Sequence, residues 1–278
     1  MEPPFWAPEA IDVSRANSAR IYDYHLGGRH NFEVDRKVAE QITRIMPELP
    51  VIMRANRAFM RRAVRFLVGA GIRQFLDLGS GIPTVGNVHE IVQAAAPESK
   101  VVYIDTDPVA VAHCRALLAG NDNAQGFSAD LRDVSEILAM PEVNDLIDFT
   151  VPVAILLVAV LHFIPDSDDP AAIVASYRDA VVPGSYMVIS HAADSEDGSA
   201  PAGADAATAA YSKRVAEATL RTRDQVAALC AGMELLDPGV VYVNQWRPDP
   251  QDTEEADPSR RVAQIAAVAR KPSLSLEG

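Results

Sequence analysis

Three acids and a pair of glycines carry the chemistry that can be read in this chain. Phe75-Leu76-Asp77-Leu78-Gly79-Ser80-Gly81 is an apolar run ending in an acid and a Gly-x-Gly turn. Val101-Val102-Tyr103-Ile104-Asp105, one βα unit later, ends in a second acid and continues into Thr106 and Asp107. A third acid follows in Ser128-Ala129-Asp130-Leu131. Glycines let backbone approach a ligand closely. Acids at successive strand ends accept hydrogen bonds from hydroxyl and amino groups and attract cations. Each residue also has a purely structural use: the glycines as a tight turn, Asp105 and Asp107 as helix caps, Asp130 as a loop acid.

The elements that must position these residues alternate. Strands are expected at 74–78, 101–105, 125–129, 153–161 and 186–191, with helices at 86–95, 108–119, 134–140 and 170–181 between them. Asp107-Pro108 and Asp169-Pro170 each set an N-cap acid before a proline at the first helical position. Strands alternating with helices imply a parallel sheet covered on both faces, and the almost wholly apolar 153–161 suits a central strand. Residues 1–70 read as a helical cap or lid, with helices at 15–24, 34–45 and 51–68. Residues 71–278 read as the ligand-binding domain, forming one compact unit with the cap. The segment 192–210, rich in Ala, Gly, Ser and Asp, reads as a mobile loop, followed by a helix over 206–221. Thr222-Arg223-Asp224-Gln225 matches a capping box. The runs 233–236, 240–245 and 264–269 lie close together and predict an antiparallel ending at the sheet edge. The fold class is therefore α/β, a Rossmann-like, mostly parallel sheet with helices on both faces.

The turn does not suit a dinucleotide. That fingerprint needs a third glycine for helix packing, and Thr84 occupies the position, after Pro83. Asp77 would also repel a pyrophosphate. It suits a ligand carrying an ammonium and a sulfonium, which S-adenosylmethionine does. Asp77 would then face the ammonium, Asp105 the ribose hydroxyls and Asp130 the adenine amine. Ser80, Thr84, Thr106, Asp107, Ala129, Leu131 and Val160 complete the expected contacts, with His162 bounding the methionine moiety and Tyr24 approaching from the cap. A nicotinamide-dependent oxidoreductase ranks last because of Thr84. A non-catalytic sensor of the same cofactor is the main alternative to an enzyme.

Longer motifs narrow this. Asp77-Leu78-Gly79-Ser80-Gly81 resembles the first motif of class I S-adenosylmethionine-dependent methyltransferases. Ser18-Ala19-Arg20-Ile21-Tyr22-Asp23-Tyr24-His25-Leu26-Gly27-Gly28, Asn56-Arg57-Ala58-Phe59, Gly81-Ile82-Pro83-Thr84-Val85-Gly86-Asn87-Val88-His89-Glu90 and Leu157-Val158-Ala159-Val160-Leu161-His162-Phe163-Ile164-Pro165-Asp166 resemble, more specifically, the S-adenosyl methyltransferase family once classed as a domain of unknown function. The resemblance spans almost the whole chain. It implies seven strands in the order 3-2-1-4-5-7-6, the last antiparallel, and S-adenosylmethionine as cofactor. It implies no particular acceptor.

Methyl transfer needs positioning and exclusion of water, and a base only where the acceptor holds a proton at working pH. His162, at the end of the central strand, and Tyr24 and His25, in the cap around Gly27-Gly28, are the catalytic candidates. His162 reads equally well as a core histidine, and Tyr24 and His25 as an ordinary helix end. His191 is a weaker candidate for the same work. Arg57, in a stripe with Arg54, Arg61 and Arg65, offers a cation to an anionic acceptor, although such a stripe is more often solvated. The 278 residues carry a net charge of −13, which disfavours nucleic acid as partner and leaves a small-molecule acceptor. Cys114 and Cys230 are too few for a disulfide framework or a cysteine zinc site, so no metal is expected. The first residues lack a signal-peptide pattern and the longest apolar run is too short to span a membrane, so a cytoplasmic location is expected.

Overall fold

Apolar runs from distant parts of the sequence meet in one eight-stranded sheet. The structure, a computed structural model, describes residues 13–83, 86–194, 204–249, 257 and 262–273. Three helices lead: α1 (Ser18–His25), α2 (Glu33–Ile45) and α3 (Leu49–Gly69). Then β1 (Gln74–Leu78), α4 (Val88–Ala95), β2 (Lys100–Asp105), α5 (Pro108–Leu117) and β3 (Ala124–Ser128) alternate. Two short helices, α6 (Val134–Ala139) and α7 (Pro141–Leu146), precede β4 (Ala154–Val158). A 3-10 turn at Leu161–Phe163, α8 (Pro170–Ala180) and β5 (Tyr186–Ala192) follow. The last elements are α9 (Ala204–Arg214), α10 (Arg223–Leu229), β6 (Glu234–Leu235), β7 (Val241–Tyr242) and β8 (Gln264–Arg270).

The sheet runs β3-β2-β1-β4-β5-β8-β6, with β7 also on β8. The first five strands are parallel, as expected. β8 lies antiparallel to β5 over seven residue pairs, from Tyr186↔Arg270 to Ala192↔Gln264. The expected sixth strand is two short pieces, β6 and β7, because the Asp237-Pro238-Gly239 turn interrupts it with Gly239 at φ +79°. Leu236 N–H to Val268 O (2.9 Å) and Val243 N–H to Gln264 O (3.0 Å) extend the two pieces along β8. The fourth strand stops at Val158, short of the expected 161, because Ala159 turns into the left-handed region at φ 56°. The helix expected over 206–221 runs instead from Ala204 to Arg214, so the loop expected at 192–210 is strand at Ala192 and helix from Ala204, and its residues 195–203 lie outside the described residues.

α3 buries Ile52, Ala55, Phe59, Ala63 and Leu67 along one stripe, and this stripe lies over the sheet. Trp246 is fully buried, edge-on to Phe59 (5.6 Å, 88°) and Phe66 (5.9 Å, 75°). Such ring pairs contribute about 0.5–1.5 kcal/mol beyond their burial. Arg62, buried on α3, donates Nε to Trp246 O (3.0 Å) and Nη2 to Val243 O (2.6 Å), fastening the C-terminal chain to this helix. The first two helices are held by Arg20, which is buried between Asp35 (3.7 Å) and Asp107 (3.3 Å) with its guanidinium over Phe32. Among the described residues, no helix is long and apolar enough to cross a membrane.

Candidate functional site

Strand order reverses about β1, which has β2 on one side and β4 on the other. Open α/β sheets form their ligand crevice at such a point, beyond the carboxyl ends of the strands. A cavity of about 460 Å³ lies there, floored by the strand-end loops and roofed by residues of α1, α3 and α9.

The glycine turn forms one wall. Gly79 and Gly81 have φ of +69° and +66°. The N–H groups of Gly79 and Ser80 both donate to Ile104 O, at 2.8 and 3.1 Å. A Cβ on Gly79 would lie 2.3 Å from Val160 Cγ2, so only glycine lets Val160 close over the turn. The Gly81 N–H donates to Asp105 Oδ2 (2.7 Å) and the Asp107 N–H to Asp105 Oδ1 (2.8 Å). Asp105 therefore links the two loops and keeps spare lone pairs. Its burial raises its pKa, against the pull of those backbone donors.

Asp77 is buried at the floor of the cavity. Desolvation pushes its carboxyl up to about 7; Arg57 draws it back and Asp105 pushes it further up. Asp130 lies on the rim in a different state. Arg132 forks onto it (Nη2 to Oδ2, 2.6 Å; Nε to Oδ1, 3.0 Å) and reaches Asp168 through Nη1 at 2.9 Å. The Arg132 hydrogen bond holds Asp130 below the usual carboxylate range. Thr106, Ala129 and Leu131 also line the cavity. Asp107 does not: it caps α5 through the Val109 N–H (2.7 Å) and faces Arg20. Thr84 lies outside the described residues.

Beyond β4 the chain enters the cavity through Ala159, Val160 and His162. The left-handed Ala159 is held by its N–H, which donates to Ser190 O (3.1 Å) and Ser190 Oγ (2.9 Å). Burial keeps the His162 imidazole neutral, with its pKa well below the ordinary value, helped by His191 and Arg221. Its Nδ1 is buried with no hydrogen-bond partner. Arg221, buried and missed by sequence reasoning, clamps the turn that carries His162. Its Nη1 reaches Leu161 O (3.0 Å) and His191 Nε2 (2.8 Å), and its Nη2 reaches Ile164 O (3.0 Å) and Asp166 Oδ1 (2.6 Å). An arginine only donates, so His191 Nε2 accepts and the proton sits on Nδ1, 2.8 Å from Ala192 O. His191 is thereby committed to structure.

The cap presents Tyr22 to the cavity rather than Tyr24. The Tyr22 hydroxyl donates to Met53 O (3.1 Å) and accepts from Asn56 Nδ2 (3.0 Å). Asn56 Oδ1 accepts from Ser190 Oγ at 2.6 Å. This buried chain runs from the cap through α3 to β5, and Asn56, a polar residue on the apolar stripe of α3, was its signal in the sequence. Tyr24 sits on the other side of α1, its hydroxyl 3.4 Å from Glu40 Oε1. His25 is buried away from the cavity lining, and desolvation with the nearby Arg54 lowers its pKa to about 4. The helix phase explains Tyr24, which falls off the inward stripe of Ser18, Ala19 and Tyr22; His25 shares the phase of that stripe but is the last residue of α1, beyond the cavity lining. Among the described residues, no group of three or more metal-ligating side chains occurs.

The chain matches the model of the S-adenosyl methyltransferase family over residues 4–272. A candidate methyltransferase from Thermobifida fusca is 38% identical, with 97% of this chain and 100% of that one covered at a TM-score of 0.88. A DUF574 family protein from Streptomyces avermitilis is 41% identical, with 94% and 99% covered at 0.87. An O-methyltransferase family protein from Burkholderia thailandensis shares the fold at 14% identity and a TM-score of 0.53, with 90% of this chain and 64% of that one covered. No protein of curated function matches. On its near-complete family match and its two relatives at about 40% identity, the chain belongs to the S-adenosyl methyltransferase family.

Proposed function

We propose that the chain transfers a methyl group from S-adenosylmethionine to a small-molecule acceptor. The observation that carries this reading is one cavity lined by buried acids and a glycine cradle at the strand ends, by Met46, Met53 and Met60 of the cap, and by His162. The residues fit the cofactor. Gly79 and Gly81 give backbone approach, Asp105 has lone pairs for two ribose hydroxyls, and a cation beside Asp77 would hold its carboxyl ionised. At Asp130 an adenine amine competes with Arg132 for the same oxygens. Residues 1–70 act as the cap that excludes water, and residues 71–278 hold the cofactor.

When bound, S-adenosylmethionine supplies a methyl already activated on a sulfonium. The chain's own residues then orient and deprotonate. Val160 closes over Gly79, Arg221 fixes the turn that carries His162, and the neutral imidazole takes a proton from a protonated acceptor. Tyr22 stays protonated, because burial raises its pKa, and so serves as a fixed hydrogen-bonding wall. A sensor would need no chamber beyond the cofactor, and family membership leaves the nicotinamide alternative without support. Calorimetry with S-adenosylhomocysteine tests the reading: binding is expected at micromolar concentration, and none at millimolar ligand would sink it. Asp105→Ala is expected to weaken that binding about tenfold or more, through two lost hydrogen bonds of about 1 kcal/mol each.

A further inference from the structure

The cavity continues past His162 into the chamber beneath the cap, and its chemistry differs from that of the strand ends. Met46, Met53 and Met60 line it from above. Phe163 and Tyr211 line it from the side, their rings stacked at 5.7 Å and 21°. Among the described residues that line the whole cavity, the formal charges are Asp77, Asp105, Asp130, Arg132 and Arg57. The first four belong to the strand-end loops. Arg57 comes from α3 and lies between the two halves, drawing down the titration of Asp77 and opposing the rise at Tyr22. The other polar groups toward the chamber are neutral: the Tyr22 hydroxyl, Asn56, Gln264 and the His162 imidazole.

We propose that the methyl acceptor is a neutral, ring-bearing, largely apolar molecule that carries one acidic hydroxyl, phenolic or enolic, to His162. The inference rests on the cofactor reading above for what the strand-end half holds. Thioethers and aromatic rings pack well against a flat ring, whereas an ammonium in this chamber would be desolvated with no opposite charge beside it and a carboxylate would have to share Arg57 with Asp77. His162 lines the cavity, so its imidazole, held neutral by burial, is the base that a ligand hydroxyl in the chamber meets. A buried imidazole is a weak base, so the hydroxyl it serves must itself be acidic; an alkanol would not suffice. In the step, the acceptor's O–H proton passes to the His162 imidazole while its oxygen forms the new O–C bond. The methyl–sulfur bond breaks with its electron pair on sulfur, giving a neutral thioether, and the imidazolium then releases its proton to water.

Three probes of one scaffold and different charge test this: naphthol, naphthoate and naphthylmethylamine, titrated calorimetrically into the full chain with and without S-adenosylhomocysteine. Naphthol is expected to bind at least tenfold more tightly than either charged probe. Met53→Glu keeps a good helix former on α3 but sets a charge in the chamber. It should weaken naphthol at least tenfold and change S-adenosylhomocysteine affinity less than twofold, while Met53→Leu should retain both. Mass spectrometry should then show methylation at the naphthol oxygen. Naphthoate binding as tightly as naphthol, no naphthol binding at millimolar concentration, or an unaffected Met53→Glu would each overturn the inference. S-adenosylhomocysteine binding without naphthol binding overturns it alone. Naphthol binding without S-adenosylhomocysteine binding overturns the cofactor reading and leaves the chamber's ligand class standing.

Discussion

Replacing Asp77 by asparagine separates what the site needs from what the fold tolerates. Burial raises the Asp77 carboxyl from 3.8 to about 7, a shift of about 3 units, or about 4 kcal/mol at 1.36 kcal/mol per unit. Water entering the cavity reduces this, so about 2–4 kcal/mol is the working figure. The folded protein holds this proton more tightly than the unfolded chain does. Between pH 4 and pH 7 the folded state therefore binds more protons, and stability falls as pH rises through that window. Below pH 4 both states are protonated and the penalty vanishes; above pH 7 it is complete. Asparagine carries no such cost. Urea unfolding of the ligand-free proteins should show Asp77→Asn more stable by about 2–4 kcal/mol at pH 8, with the difference shrinking toward zero near pH 4. The same variant should bind S-adenosylhomocysteine at least tenfold more weakly, since a charged hydrogen bond contributes about 1.5–3 kcal/mol. Equal or lower stability of the variant at pH 8, or a difference that does not change with pH, would refute the reasoning.

Three further perturbations follow from the packing around this site. Gly79→Ala forces a side chain into a backbone at φ +69° and into Val160; it should cost about 1–3 kcal/mol in chemical denaturation and abolish cofactor binding, and Val160→Ala in the same chain should restore only part of the stability. Arg221→Met leaves the Ile164 carbonyl without its donor and takes one of two donors from the Leu161 carbonyl; a loss of about 2–3 kcal/mol is expected, with methyl transfer falling far more than S-adenosylhomocysteine affinity, and unchanged turnover would remove its positioning role. Arg20→Met leaves Asp35 and Asp107 buried without their cation, so a loss of about 3–5 kcal/mol is expected, recovered in part when Asp35 is also replaced by asparagine.

The five parallel strands were legible because each is a short apolar run bounded by turn residues, and the acids at their ends fell where the ligand crevice opens. The division of labour among those acids was not legible. Asp105 and Asp107 look alike in sequence, yet one lines the cavity and the other caps α5 and holds Arg20, a difference made by a residue 87 positions away. Asp130 could not be seen to be engaged, because Arg132 lies only two residues on and charge order alone does not fix a fork. Tyr24 was favoured over Tyr22 because nothing local says which stripe of α1 faces inward; the sheet decides that. α7 was missed because its six residues, Pro-Glu-Val-Asn-Asp-Leu, carry too few apolar positions to show a period.

The placement of β8 orders the assembly of the sheet. β6 and β7 precede it in sequence but reach the sheet only through it, while β8 itself pairs with a strand more than 70 residues earlier. Loop closure over that distance is entropically costly and slow. The chain therefore has a built-in sequence of events: the parallel half, with its acids and glycine turn, can form from local βα contacts, and Gln264 closes against Asn56 and Ser190 only when the long-range pairing arrives. The half proposed to hold the cofactor is expected to become competent first, and the region proposed to choose the acceptor to be completed last.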